Sequence, residues 1–129
     1  MSLRSPLGRV RGLGSAKEGV NHWWAQRLTA LALIPLTIWF VISLLVLTGA
    51  DHAAVRSWVA SPVVAGLLIL LIVATFYHAY LGLQVVIEDY VHSEGLKLLT
   101  LLAVKGASWL LAIIGAVSVL VLLLGEAPA

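Results

Sequence analysis

Residues 63–87 read VVAGLLILLIVATFYHAYLGLQVVI, without a single Asp, Glu, Lys or Arg. A membrane-spanning helix needs about 20 predominantly apolar residues, so this stretch is long enough to cross a bilayer. Working outward, a second apolar run covers Leu28 to Leu47, and a third ends at Leu124 after starting at Leu98 or, counted strictly, at Lys105. The whole chain has 129 residues, 61% apolar and 11% charged, with a mean hydropathy of +1.05. Soluble domains run at about 45–50% apolar and about 25% charged. A chain this short cannot bury such a surplus behind a water-facing shell, so the surplus faces lipid. The expected fold is an all-α membrane protein with three transmembrane helices at about 25–48, 62–88 and 98–124, a membrane domain over 25–125 and a polar basic arm over 1–24.

Orientation follows from the basic residues. Arg4, Arg9, Arg11, Lys17 and Arg27 cluster before or at the first span, Arg56 stands alone in the first loop, and Lys97 and Lys105 follow the second. The positive-inside rule places the N-terminus in the cytoplasm and the C-terminus outside. Lys105 snorkels to the cytoplasmic surface from within the third run. Trp23, Trp24 and Trp58 sit at the edges, where aromatic belts form. The first two dozen residues lack an apolar signal-peptide core, and an amphipathic transit peptide is disfavoured. The expected location is therefore a bacterial cytoplasmic (inner) membrane, ahead of a mitochondrial one. The net charge of +2 is not arranged as a basic stripe or an aromatic platform, which argues against nucleic acid. With no cysteine, thiolate metal sites, disulfides and Cys nucleophiles are excluded.

His78 is the residue that lipid does not explain. It lies inside the second run, about ten residues or roughly 15 Å from its end at Glu88. Ionisable residues at that depth usually face the bundle interior and mark a function, although an imidazole also serves as interhelical glue. Ala74 and Gly82 stack above and below it on one face. Small residues there fit either a flat slot for a porphyrin or close helix packing. Asp89 falls near the same face at the membrane edge, with Tyr90 beside it. A lone imidazole suits an axial haem position better than zinc, which wants several protein ligands. His22, His52 and His92 all sit at or beyond the membrane edges, so a bis-imidazole haem takes its second ligand from another chain. Arg27 is placed either to bind a haem propionate or to anchor the first helix at the interface.

The segment from His78 through Gly82 to Asp89-Tyr90-Val91 closely resembles the second-helix signature of the D-type hydrophobic membrane anchors of succinate dehydrogenase (respiratory complex II). Gly19-Val20 and Arg27-Leu28-Thr29-Ala30 resemble the start of that family's first helix. The resemblance implies packing against a C-type anchor subunit, with haem b shared between the two and His78 as this chain's axial ligand to the haem iron. It implies Arg27 as a propionate contact, with His22 as a second, since some members carry a histidine near Asn21. It also implies Tyr90 as a hydrogen-bond donor to a ubiquinone carbonyl and Asp89 as support for that site. Flavin and iron–sulfur clusters then belong to a flavoprotein and an iron–sulfur subunit, and the chain alone is not catalytic within the succinate:quinone oxidoreductase. From position alone, Tyr90 equally suits an aromatic belt. Alternatives are a haem-free fumarate-reductase-type anchor, a homodimeric b-type cytochrome, and a non-redox membrane subunit in which His78 is structural.

Overall fold

A computed structural model describes residues 5–10 and 17–125 of the chain. Arg4 and Arg11, part of the basic N-terminal cluster, lie outside the described residues, as do the side chains of Arg9 and Lys17. The described residues form α1 (Pro6–Val10), α2 (Lys17–Val46), α3 (His52–Val59), α4 (Pro62–Tyr90) and α5 (Glu94–Leu124). Three stretches are long and apolar enough to cross a membrane, namely Gly19–Val46, Pro62–Tyr90 and Glu94–Leu124. This is the expected all-α, three-span architecture.

The helices overrun the apolar runs for a physical reason. Hydropathy marks only the part of a helix that prefers lipid, whereas helical bonding continues until a cap or a break. α2 therefore starts at Lys17, within the stretch read as a polar arm, and α5 starts at Glu94, one residue after the Ser93 N-cap. At the other end of α2, Gly49 adopts φ +84°, a left-handed conformation that favours glycine, and the chain turns. Pro35 removes one backbone donor inside α2 without ending the helix.

The first loop is not a bare connection, because it folds as α3. Asp51 caps α3 by accepting from the Ala54 N–H at 2.8 Å, and Pro62 starts α4 after the Ser61 cap. The helix lies across the bundle end. Trp58 stacks on Trp39 of α2 with centroids 5.9 Å apart, and Val59 is buried with Ala65, Leu68 and Val119. Arg56 donates from Nη2 to the Gly125 carbonyl at 2.7 Å, satisfying an orphan acceptor at the end of α5. The single cation of that loop is thus used as a helix cap.

α4 packs against α2 on one side and against α5 on the other. Gly115 lets α5 approach closely: a Cβ there would stand 2.9 Å from Ile72 Cγ2, the small-residue packing expected where lipid supplies no hydrophobic drive between helices. Gly115→Leu should overpack this contact and cost roughly 1–3 kcal/mol. It would be measured as a lower unfolding midpoint of the purified complex, and an unchanged midpoint would contradict the close approach. Most of the apolar surface stays uncovered by the chain itself. At most 17% of the apolar core of any span is buried, which leaves the remainder for lipid and for other proteins.

Candidate functional site

His78 is half-buried on the face of α4 that meets α2. Its Nδ1 lies 2.9 Å from Thr29 Oγ1. The threonine hydroxyl donates to the Ala25 carbonyl at 2.7 Å, with the Gln26 carbonyl at 3.1 Å. Since its one proton is committed to the backbone, Oγ1 accepts from Nδ1–H. That assigns the tautomer: Nδ1 carries the proton and Nε2 carries the lone pair. Nε2 has no hydrogen-bond partner among the described residues and is not one of the enclosed unpaired atoms. Among the described residues, no group of three His, Asp or Glu side chains gathers, so His78 stands as a single imidazole.

The small residues around His78 serve the helix contact. A Cβ on Gly82 would stand 3.6 Å from Gln26 Nε2, and Ala74 is buried. Gly82 thus faces Gln26 of α2 and Ala74 is buried, which suits the packing reading of these small residues. Any ligand of Nε2 would have to approach from outside the α2–α4 contact. The chemistry of the donor set fits one axial haem position: a neutral imidazole, its second nitrogen fixed by a hydrogen bond, its first nitrogen free. No second histidine of the chain shares this place. His52 and His92 are exposed near opposite ends of α4, and His22 lines a different cavity.

Arg27 lies two residues before Thr29, on the outward side of α2. It is exposed, and its guanidinium sits 5.5 Å from the centre of the Trp23 ring, a cation–π contact that holds the charge at the aromatic edge. Asp89 and Tyr90 end α4, both exposed, with Tyr90 at 77%. The chain then breaks at Val91, whose N–H caps back to the Ile87 carbonyl. Tyr90 is thus presented outward from a helix end, not enclosed by its own chain. The structure therefore groups His78 with Thr29, and Asp89 with Tyr90, while Arg27 and His22 occupy different faces of α2.

Thr29 escaped sequence reasoning, yet it had a signal. It stands as far from Lys17 as His78 stands from Tyr90, so antiparallel helices with level ends bring the two polar residues together. The second feature that escaped is a partly open cleft of about 430 Å³ between α2, α4 and α5. Asn21, His22, Tyr77, Tyr80, Gln84, Lys105 and Trp109 line it. Among the described residues, His22 Nε2 is enclosed there without a hydrogen-bond partner.

Comparison with known proteins points in one direction. The family described as succinate dehydrogenase/fumarate reductase transmembrane subunit matches residues 1–124. The chain is similar to the succinate dehydrogenase hydrophobic membrane anchor subunit of Rickettsia bellii, with 33% identity over 103 residues covering 80% of this chain and 82% of the relative. The subunit of the same description from Paracoccus denitrificans is 31% identical over 90 residues, 70% of each chain. The succinate dehydrogenase membrane anchor subunit of Reclinomonas americana is 24% identical over 92 residues, covering 69% of this chain and 77% of the relative. No solved structure matches the chain.

Proposed function

This chain belongs to the succinate dehydrogenase/fumarate reductase transmembrane subunit family, as a hydrophobic membrane anchor that crosses a bacterial inner membrane several times, and we propose that it supplies one axial ligand to a haem b and one wall of a ubiquinone-reduction site. The observation that carries the haem half is the Thr29–His78 contact. A ligating histidine almost always donates its other ring N–H, which fixes the ring and its tautomer. Here Thr29 accepts that N–H and leaves the Nε2 lone pair unused. His78 would hold the haem iron from this chain, a histidine of a C-type anchor subunit would be its partner ligand, and Arg27 would bind a propionate. The haem supplies a one-electron redox centre beside the quinone site.

The quinone half rests on Asp89 and Tyr90, both exposed at the end of α4. The Tyr90 hydroxyl donates to a quinone carbonyl while its ring covers the head group. Asp89 holds water or a proton beside it. Two electrons from an iron–sulfur subunit, fed in turn by a flavoprotein subunit, and two protons from the cytoplasmic side convert the quinone to the quinol. The N-terminus then faces the cytoplasm.

Thr29→Val tests the tautomer argument. Losing an outer-shell partner typically weakens a metal site by 10–100-fold, so the haem-to-flavin ratio of the purified complex should fall on washing, and Thr29→Ser should restore it. Full haem retention in Thr29→Val would separate Thr29 from the haem. The same hydrogen bond also favours a second reading, a haem-free or non-redox anchor in which His78 only ties α4 to α2. Such a bond contributes about 0.6 kcal/mol on average, and that reading predicts a complex without haem absorbance.

A further inference from the structure

The contacts between helices fix their levels. Thr29 stands beside His78 and Gln26 beside Gly82, while Gly115 meets Ile72 and Trp109 meets Tyr77. Lys105 is thereby level with Leu81 and with the turn of α2 that holds Arg27, and the cleft touches Ala25, Leu81 and Lys105 together. The cleft therefore lies in the cytoplasmic half of the bundle, from which the Lys105 side chain reaches toward the head groups.

Its chemistry is that of an anion site. Among the described residues, Lys105 has no carboxylate within ion-pair distance, and of the two acids near the end of α4, Glu88 is held by Gln84 Nε2 at 2.9 Å. Among the described residues, His22 Nε2 is enclosed and unpaired, and an enclosed polar atom without a partner favours the arrival of one. Asn21, Tyr77 and Tyr80 add donors, and among the described residues no carboxylate lines the cleft. The Trp109 ring, tilted against Tyr77 at 6.1 Å, gives an apolar wall one turn deeper than Lys105. We propose that this cleft binds the phosphate of an acidic membrane phospholipid, with Lys105 as the counter-ion and the acyl chains descending past Trp109. A zwitterionic head group is disfavoured, because its ammonium would meet Lys105 with no carboxylate among the described lining residues to accept it.

The test uses the intact complex, washed in detergent and reconstituted in nanodiscs of phosphatidylcholine with or without phosphatidylglycerol. Lipid retained after a second detergent exchange is measured by mass spectrometry, and the haem spectrum is recorded beside it. Wild type should retain phosphatidylglycerol over phosphatidylcholine. Lys105→Gln should bind it roughly tenfold to a hundredfold more weakly, as expected for loss of a charge-assisted contact, with the haem spectrum unchanged. Lys105→Arg should preserve retention, and Tyr80→Phe should weaken it with the fold intact. Equal retention in Lys105→Gln and wild type would overturn the proposal. So would co-purifying quinone in place of lipid, or haem loss in Lys105→Gln, since the cleft would then serve a quinone or a haem propionate.

Discussion

His78→Ala should abolish the b-type haem absorbance of the purified complex while succinate oxidation with a soluble artificial acceptor persists. The loss should be nearly complete, because the chain has no substitute. His22 lines the cleft between α2, α4 and α5, and His52 and His92 are exposed near opposite ends of α4. With Nδ1 held by Thr29 at 2.9 Å, only Nε2 is available to a metal. His78→Gln separates the readings further. A glutamine can keep a hydrogen bond to Thr29 without offering an imidazole, so it should restore helix packing and leave the haem absent. Haem at wild-type occupancy in His78→Ala would place the axial ligand elsewhere.

Tyr90→Phe should keep the haem and slow quinone reduction. Removing one hydroxyl donor to a neutral carbonyl forfeits about 0.5–1.5 kcal/mol, which corresponds to roughly a two- to tenfold drop in kcat/KM for ubiquinone. Tyr90 is 77% exposed at the end of α4 and is not a member of the buried core cluster. The effect should therefore appear in quinone kinetics and not in stability. The comparison is ubiquinone against an artificial acceptor that bypasses the membrane, and equal slowing with both would remove Tyr90 from the quinone site.

The architecture was legible because lipid imposes it. Runs such as residues 63–87 have no soluble explanation, and their number and order carry over directly into α2, α4 and α5. Helix ends were less legible. Ser93 starts α5 before the apolar run begins, and α3 depends on Asp51 and on contacts from Trp58 and Arg56 to distant residues. The same distinction runs through the site. His78, Asp89 and Tyr90 stand out as polar or ionisable residues in or beside an apolar helix. Thr29 and Lys105 acquire their meaning only from the register between helices, which is set by Gly82 against Gln26 and Gly115 against Ile72. Ala74 and Gly82 show the converse, since their smallness was visible but which neighbour used it was not.

The most direct test of the central claim is a dithionite-minus-ferricyanide difference spectrum of the complex purified gently through this chain, recorded with a gel of what accompanies it. The account predicts a b-type band together with a second anchor, an iron–sulfur subunit and a flavoprotein. The same partners with no haem band would contradict it, and would leave the Thr29–His78 bond as a tie between two helices.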